Sequence, residues 1–590
     1  MGQCRTRHAL AVLTAAVTVG AVAVPAAAHL PGRALPAIEG PTLPANDLEA
    51  LLSLTGGQVV QSFGVATRAP EPPLRPVPRA DCGPGSRPLQ GEIQGRVSRA
   101  DLDAPEAARG YTCNVSPLGR YPTAGGFRTW RYVDPAGHEC AFYDTSLPAP
   151  ANVVSVAAGP TPGVVVLDMS DPQQPKRTAL LTTLAMLAPH ESLNLNARRG
   201  LLAAVVGNGL TLPGSMAIYD VATDCRRPRL LAEMPTAYGH ESGFAPDGNT
   251  FWIAGGGGEV IAVDVRDPRV PRTVWRGVLY SHGLNLSDDG RTLFHTDPIN
   301  GNLGILDVSE VQDRRPDPTV RQLSRITWDT VSVPQNTVPL TIRGRRYLLE
   351  FDEFAFRFNP PTVANRAGAA RLIDIEDPRA PRVTSNLRLE ANMPETRAKL
   401  LADPVALPLA FGYAAHYCAA PREVDPVIVA CSFINSGLRV FDVRDPENPR
   451  EVAYYVAPEG GEGLAATTPG NLALSQPAFD PVRREVWYTD ATSGFHALRL
   501  DERAWPADPP PTRCVSQRTV TITLPRHYAS AHVTYLGRRA RVTRTRGRLR
   551  ARIDLRGQPV RTVTVRVTGR SKAGTAVRQT RRFLTCRGRG

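Results

Sequence analysis

Four histidines stand at corresponding points of a repeated pattern, and their side chains offer the most distinctive chemistry in this chain. Each lies at the start of an apolar stretch, and amide side chains take the same point in three other repeats; the set is His190, His240, His282 and His416 with Asn114, Gln335 and Gln476. Imidazole nitrogens bind zinc, copper and iron, and three imidazoles with one open position are common in catalytic zinc sites. His190, His240 and His282 come from consecutive repeats and are the predicted ligands of a transition metal ion.

A structural role competes with this metal role. A polar side chain that recurs at one point of a unit also serves as a hydrogen-bonding group between neighbouring strands, and the three amides suit that task equally well. Glu191 and Glu241 each follow a histidine directly, so strict alternation along a strand turns them to the opposite face. We expect these two carboxylates to be solvated or to pair with a neighbouring sheet.

A group of three carboxylates lies between Glu350 and Phe354. Carboxylate oxygens are ligands that calcium prefers. No Asp-rich calcium loop accompanies this group, however, and an acid cluster that is solvated or lies between two sheets is the favoured interpretation.

The repeated unit that positions these residues recurs at intervals of roughly 43 to 68 residues, a period typical of stacked or radial arrays. It contains four or five apolar or β-branched residues, as expected for a strand buried on both faces. Six copies end the run in Asp, and in the seventh Arg499 replaces it. The copies begin at Val164, Met216, Val260, Leu303, Arg371, Gly437 and Gly494.

The aspartate and the prolines that follow it define the end of the strand. A short carboxylate accepts hydrogen bonds from the amides of the next turn, and Asp-Pro starts the reversal of the chain. The second proline cannot donate to a sheet, so the next strand is predicted at an edge. These residues, best seen from Gly437 to Pro449, resemble the LVIVD-repeat family of exported propellers over about residues 110 to 500. The resemblance implies a propeller fold but little about chemistry.

The predicted fold is all-β, with a seven-bladed β-propeller followed by a small C-terminal β-sandwich. The seven residues at corresponding points begin the innermost strands, and the LVIVD-like copies are the third strands. Tight turns are predicted at Ala245–Asn249 and Ser287–Gly290, where glycine supplies a positive φ. The seventh blade lacks a fourth strand, and the alternating segment Glu92–Ser98 is predicted to supply it.

The first residues resemble a secretory signal. Basic residues precede an apolar run from Ala9 to Val24, and Ala26–Ala28 offers a cleavage site. The predicted divisions are a signal peptide (1–28), a Pro-rich segment (29–81), the propeller (82–503), a linker (504–513) and the basic sandwich (514–590). A secreted or cell-surface location is expected, without a transmembrane span, because no later stretch reaches 18 apolar residues.

Eight cysteines follow the predicted signal, and an even number in an exported chain indicates disulfides. Sequence alone leaves the connectivity open. Position favours Cys418–Cys431 across a hairpin, Cys113–Cys140 in the first unit and Cys514–Cys586 around the C-terminal segment. Cys82 and Cys225 are then left to pair with each other.

The basic charge of the chain is concentrated in its last segment. The formal charge is +14, and residues 514–590 contain 19 Arg and Lys572 against Asp554 alone. An anionic cell-envelope polymer or phospholipid is the predicted partner of this segment, with a protein partner or a merely solvated surface as the alternatives. Nucleic acid is not expected, because few aromatic side chains accompany the arginines.

Long insertions point to the same end of the propeller as the histidines. Residues 355–369, 390–415 and 458–475 connect strands on that face, and binding residues often lie on long loops held by a rigid scaffold. The sequence therefore favours a non-enzymatic binding scaffold with its ligand at the histidine-lined mouth. The alternative is a metal-dependent enzyme whose site resembles that of lactonase-like propellers or of selenium-binding-type propellers that use copper.

Overall fold

The regular secondary structure in the described part of the chain is almost entirely β-strand. A computed structural model describes residues 58–59, 66–145, 163–207, 214–237, 239–256, 258–354, 367–401, 412–458, 471–506, 516, 518–556, 558 and 562–585. The predicted signal peptide, parts of each of the three predicted insertions, Cys514 and Cys586 lie outside these residues.

Seven sheets follow one another along the chain, each built from antiparallel strands, and we number them in chain order. Sheet 1 comprises Thr129–Val133, Glu139–Asp144, Val164–Asp168 and Lys176–Leu181. Sheet 2 comprises Asn194–Asn196, Leu201–Val205, Ser215–Asp220 and Arg229–Pro235. Sheet 3 comprises Gly243–Phe244, Thr250–Gly256, Glu259–Asp264 and Arg272–Val278.

The remaining four sheets have the same plan. Sheet 4 comprises Leu284–Leu286, Thr292–Asp297, Asn302–Asp307 and Arg321–Thr327, and sheet 5 comprises Val333–Ile342, Arg345–Glu353, Ala370–Asp374 and Arg382–Leu387. Sheet 6 comprises Ala415–Ala419, Ile428–Phe433, Gly437–Asp442 and Arg450–Val456. Sheet 7 comprises Ala478–Asp480, Glu485–Asp490, Gly494–Leu500 and an earlier segment, Val115–Tyr121.

The LVIVD-like copies form the third strands of the seven sheets, as predicted. The aspartate that ends the strand accepts a backbone hydrogen bond from two residues later in all six copies that contain it, for example Asp264 from Arg266 at 3.0 Å and Asp442 from Arg444 at 3.0 Å. Gly248 has φ +72° in the predicted Pro-Asp-Gly turn. These local features are therefore fixed by short-range hydrogen bonds and backbone preferences.

Apolar clusters connect each sheet to the next. Leu202 of sheet 2 packs in one cluster with Phe142 of sheet 1, and the other consecutive pairs share clusters in the same way. Trp487 and Phe495 of sheet 7 share a cluster with Tyr143 of sheet 1, so the first and last sheets are also neighbours. Burial between sheets thus explains why the strands are apolar on both faces.

The strand that completes sheet 7 is Val115–Tyr121, which pairs with Gly494–Leu500. The prediction of Glu92–Ser98 for this position was wrong, because that segment forms turns and no strand. Tyr111–Cys113, just before the completing strand, adds to the edge of sheet 6. The chain thus crosses from sheet 6 to sheet 7 before it enters sheet 1.

Part of the segment predicted to be Pro-rich and extended packs against the outer edges of the sheets. Gln58–Val59 and Thr67–Arg68 pair in parallel with the outer strands of sheets 3 and 4. Val77 is buried and its amide donates to the carbonyl of Arg388 at 2.8 Å. Parallel pairing along open edges satisfies backbone groups that would otherwise be exposed.

Three disulfides are present among the described residues. Cys418–Cys431 joins two paired strands of sheet 6, as predicted. The predicted pairs Cys113–Cys140 and Cys82–Cys225 were wrong: Cys82 bonds Cys113, and Cys140 bonds Cys225. Cys113 ends an edge strand of sheet 6, whereas Cys140 lies in sheet 1 and Cys225 lies in the turn between the third and fourth strands of sheet 2. Proximity along the chain therefore misled the assignment.

The C-terminal residues form two further sheets that share one apolar cluster. A three-stranded sheet contains Thr519–Thr523, Val542–Thr545 and Arg548–Asp554. A four-stranded sheet contains Tyr528–Tyr535, Arg538–Ala540, Thr562–Ser571 and Ala576–Leu584.

Helices are few and short in the described part of the chain. The α-helices there are Arg99–Asp103, Leu184–Leu187, Ser309–Gln312 and Arg397–Leu401, and the 3-10 helices are Pro105–Arg109, His190–Ser192, Glu390–Asn392, Pro394–Thr396 and Ile434–Ser436. Within the described ranges no helix has the length and hydropathy required to cross a bilayer.

Candidate metal centre

Four histidines meet where the inner strands of sheets 2, 3, 4 and 6 begin. His240 and His282 lie two or three residues before their inner strands, and His416 lies within its strand. His190 opens a 3-10 turn with φ +50°, an uncommon conformation for a residue other than glycine. The ring centroids of His190 and His240 are 4.6 Å apart, and those of His240 and His282 are 4.3 Å apart.

Three carboxylates complete this group, which we call the His–Glu cluster: His190, His240, His282, His416, Glu191, Glu241 and Glu353. The Nε2 atoms of His240 and His282 are 3.0 Å apart. Glu191 Oε2 lies 3.2 Å from His240 Nε2, and Glu353 Oε1 lies 3.0 Å from His282 Nε2. His416 Nε2 lies 3.4 Å from Glu191 Oε1 and 3.5 Å from Glu353 Oε2. Nitrogen and oxygen atoms from five chain segments therefore point at a common region.

These separations match those of atoms that share one metal ion. Two ligands, each about 2.1 Å from an ion, are about 3.0 Å apart at a right angle and about 3.4 Å apart at the tetrahedral angle. The donor set is rich in imidazole and has no thiolate, which suits copper, zinc or iron better than calcium. The cluster therefore fits a first-row transition metal.

A hydrogen bond orients one imidazole with Nε2 towards the centre, and a carboxylate lies behind a second one. His416 Nδ1 donates to the carbonyl of Leu474 at 2.6 Å, which places a proton on Nδ1. Glu241 Oε2 lies 3.7 Å from His282 Nδ1. Arg128 and Asn336 both donate to the other oxygen of Glu241. Carboxylates and carbonyls on the outer nitrogen of a histidine are typical of metal sites.

Burial leaves the cluster nearly dry. All three glutamates have no exposed surface, His416 is also fully buried, and His240 has a side chain that is 18% exposed. The carbonyl oxygen of the Gln335 side chain and the hydroxyl of Tyr417 have no hydrogen-bond partner among the described residues, although both side chains are buried beside the cluster. His240 thus marks the side from which solvent reaches the centre.

In the His–Glu cluster, neighbouring charges outweigh burial in setting the direction of the pKa shifts. Burial would lower the pKa of His282, but the carboxylates of Glu191 and Glu353 hold it well above its ordinary value. Burial would raise the pKa of Glu191, but the imidazoles of His240 and His282 hold it well below its usual range. Without a cation, charged imidazoles and carboxylates would compensate one another.

Two further predicted residues of the mouth lie outside the cluster. Gln476 accepts a hydrogen bond from Arg128 beside it. Asn114 was assigned to the wrong strand: its amide donates to the carbonyls of Asp81 and Val452 between sheets 6 and 7. The inner strand of sheet 1 begins at Thr129 instead, so Arg128 takes the position that Asn114 was predicted to hold.

Glu191 and Glu241 were expected on the opposite face of the strand from the histidines, but both belong to the His–Glu cluster. They precede the regular strands, and the 3-10 turn at His190 breaks the alternation. Both are buried and pair with other sheets, the second of the two expected roles: Glu191 with His240 of sheet 3 and Glu241 with Arg128 of sheet 1. Of the predicted acid cluster, Glu350 and Asp352 contact buried Arg371, while Glu353 faces the histidines. Alternation within Arg345–Glu353 separates these two roles.

Arg128 and Tyr417 were not predicted by sequence reasoning. The Arg128 guanidinium lies 4.4 Å from the centre of the Tyr417 ring and contacts Glu241. Tyr417 follows His416 directly, which was a weak indication that it lies near the cluster, but nothing in the repeat marks Arg128. The close packing extends to Gly283, where a Cβ atom would lie 2.3 Å from Glu241 Oε2.

A second group of potential ligands lies away from the inner strands. His138 Nδ1 is 2.9 Å from Asp134 Oδ2 and 3.7 Å from Asp224 Oδ1. Asp134 already accepts backbone hydrogen bonds from Ala136, His138 and Cys225. These contacts indicate a turn-stabilising role beside the Cys140–Cys225 disulfide.

No protein-family model matches this chain, and no curated protein matches its sequence. Similar solved structures include a periplasmic gluconolactonase from Pseudomonas aeruginosa (13% identity, 72% of this chain and 95% of that chain, TM-score 0.40). They also include the Swd1 β-propeller domain of Myceliophteria thermophila (13% identity, covering 65% of this chain and 98% of that chain, TM-score 0.41). A third is a protein of unknown function from Desulfotomaculum acetoxidans (12% identity, covering 57% of this chain and 90% of that chain, TM-score 0.35).

Proposed function

We propose that this protein is a transition-metal-dependent enzyme of propeller fold whose metal lies in the His–Glu cluster. The observation that carries the proposal is the convergence of His240, His282 and His416 through their Nε2 atoms on the carboxylates of Glu191 and Glu353, at separations of 3.0 to 3.5 Å. Imidazole nitrogens with one or two carboxylate oxygens form a set that transition metals favour.

The proposal includes a closed ring of seven blades, a C-terminal β-sandwich and membership of the LVIVD-repeat group. Support for the ring comes from the apolar clusters that link consecutive sheets and from the cluster shared by sheets 7 and 1. In a closed ring the inner strands surround one axis, and residues at their starts become neighbours. The His–Glu cluster would then lie at one mouth of the channel.

The residues of the cluster have separable roles in this proposal. His240 and His282 would hold the ion together with Glu191 and Glu353. His416 and His190 lie close enough to Glu191 to complete the coordination of the ion. When bound, such an ion would supply Lewis-acid or redox chemistry. His240 is the partly exposed ligand, so a small substrate would approach from its side. Arg128 and Glu241 would orient the ligands without touching the substrate.

An extracellular or periplasmic location agrees with the covalent structure. Cys82–Cys113, Cys140–Cys225 and Cys418–Cys431 are typical of proteins that fold in oxidising compartments. Export through the predicted signal peptide is part of the proposal.

Elemental analysis of the full chain tests the metal. We would load the protein separately with copper, zinc and iron, remove loose ions by gel filtration and measure metal per chain for wild type, His240→Ala, His282→Ala and His138→Ala. We expect about one tightly held ion in wild type and in His138→Ala, and loss of that ion in the two cluster variants. No stoichiometric metal in wild type, or metal lost only in His138→Ala, would overturn the assignment.

The competing function is the non-enzymatic binding scaffold favoured by the sequence. In that case the His–Glu cluster is an ion-paired network that stabilises the inner strands. The two proposals differ in one measurable respect. If the cluster binds a metal, loading should raise the unfolding temperature of the protein; if the cluster is a purely structural network, loading should leave that temperature unchanged.

A further inference from the structure

One exposed face of the C-terminal residues carries a row of arginines. Arg548, Arg550 and Arg552 alternate with Leu549, Ala551 and Ile553 along the central strand of the three-stranded sheet. The apolar residues lie in the shared core, so the three arginines project together from the opposite face, where all three are exposed.

Hydroxyl side chains flank this arginine row on both sides. Thr521 pairs with Arg552 and Thr523 with Arg550 on one neighbouring strand. Thr543 pairs with Arg550 and Thr545 with Arg548 on the other. Directly paired residues share a face, so the row of guanidinium groups runs between two lines of hydroxyl donors. Guanidinium and hydroxyl groups are common partners of phosphate oxygens.

The face is concave at one end. A depression of about 560 Å³ is lined there by arginines and threonines together with Asp554. Asp554 forms an ion pair with Arg556 at 2.7 Å, so its charge is already compensated. It is also the one acidic residue between positions 514 and 590. The depression is therefore strongly cationic.

The spacing of the arginines selects the type of anion. Successive arginines on one strand face are about 6.8 Å apart, since each strand residue rises about 3.4 Å. An extended chain advances about 3.4 Å for every three backbone bonds, so a polymer with six backbone bonds per repeat advances about 7 Å. Glycerol phosphate has this repeat length and carries one negative charge per unit.

We infer that this arginine-rich face binds a linear polyphosphodiester of the glycerol phosphate type, which lies along the central strand with one phosphate per arginine. Single-stranded nucleic acid has a similar backbone, but its binding sites use aromatic side chains as stacking platforms. The face is lined by arginine and threonine and offers no aromatic platform in the described part of this sheet. The observations therefore favour the polymer that lacks bases.

Binding of fluorescent poly(glycerol phosphate) to the full chain tests the inference. We would titrate wild type, a triple variant Arg548→Gln, Arg550→Gln, Arg552→Gln, and a control variant Arg566→Gln, Arg570→Gln, Arg578→Gln at several salt concentrations. The control changes the charge equally, through exposed arginines of the other C-terminal sheet. Because the substituted side chains are exposed, circular dichroism should show both variants folded.

We expect the first variant to bind at least about 30-fold more weakly than wild type at low salt, and the control to differ by less than about threefold. The slope of log affinity against log salt should become less steep by about 2 in the first variant, since each of the three lost arginine–phosphate contacts contributes about 0.7. Equal losses in both variants would show only a general charge effect and overturn the inference. Tighter binding of a dT20 oligonucleotide, or binding to phosphatidylglycerol vesicles but not to the polymer, would also overturn it.

Discussion

The carboxylate of Glu241 faces the imidazole of His282 across the boundary between sheets 3 and 4, with 3.7 Å between Oε2 and Nδ1. Glu241 is fully buried, and Arg128 and Asn336 hold its other oxygen. These contacts place a negative charge behind the Nδ1 side of His282, while its Nε2 lies 3.0 Å from Glu353 Oε1 and 3.0 Å from His240 Nε2.

Replacement of Glu241 by glutamine should weaken metal binding without abolishing it. The amide keeps the size of the side chain but loses the negative charge behind His282, and loss of such an outer partner typically lowers metal affinity by about 10-fold to 100-fold. Competition with a chelator would measure the affinity. Glu259→Gln, in the third strand of sheet 3 and paired with Arg276, is the control. Unchanged affinity in Glu241→Gln would contradict a positioning role.

The buried arginine of sheet 5 should matter far more than an exposed arginine of the same sheet. Arg371 is fully buried between Glu350 and Asp352, and its guanidinium lies 4.6 Å from the centre of the Trp328 ring. Arg371→Met would leave two buried carboxylates without a cation and should lower the free energy of unfolding by about 3 to 5 kcal/mol.

Arg382→Met is the matched control for that substitution. Arg382 pairs with Asp374 at 3.2 Å, but its side chain is 59% exposed, so its loss should cost less than about 1 kcal/mol. Urea unfolding of both variants would measure the difference. Similar urea midpoints for the two variants would show that the buried ion pairs of Arg371 contribute no more to stability than the exposed pair of Arg382.

The three disulfides should differ in their contribution to stability according to the length of chain they enclose. The sequence separations are 85 residues for Cys140–Cys225, 31 for Cys82–Cys113 and 13 for Cys418–Cys431. Loop-closure entropy predicts that loss of the longest loop costs about 1.7 kcal/mol more than loss of the shortest. Paired Cys→Ser variants, compared by urea unfolding, should follow this order. The reverse order would show that local packing outweighs chain entropy.

Stability should decline below neutral pH partly because of a buried histidine in sheet 7. Burial lowers the pKa of His496 to about 3, and its ring contacts Ser493 at 2.8 Å and stacks on Tyr488. The unfolded chain takes up a proton near pH 6.5 and the folded chain does so only near pH 3, so stability falls between these values as pH decreases.

Between pH 7 and pH 5 this residue alone should account for about 2 kcal/mol of lost stability. Urea unfolding at pH 7 and at pH 5 gives the change in the free energy of unfolding between the two pH values. In His496→Gln this change should be smaller than in wild type by about 2 kcal/mol, whatever the variant's own stability at pH 7. A variant with the full wild-type pH dependence would show that other groups are responsible.

Local patterns in the sequence predicted the repeated sheets well. Asp442 and its counterparts end a strand through hydrogen bonds to amides two residues away, and Gly248 permits its turn through its own φ. Cys418 and Cys431 were paired correctly because one hairpin brings them together. Each of these outcomes depends on residues close in the chain, where backbone preferences and short hydrogen bonds decide the conformation.

The tertiary structure alone decided which distant residues meet. Val115–Tyr121 completes sheet 7, Cys140 reaches Cys225, and Arg128 reaches Glu241 because the sheets lie side by side. Glu191 enters the His–Glu cluster because a 3-10 turn replaces the regular strand before it. The repeat identified four histidines at equivalent points, but not which carboxylates face them. Glu353 reaches the histidines from the end of a strand in sheet 5. The carboxylate partners depend on how apolar burial packs one sheet against the next, and no local pattern in the sequence encodes that arrangement.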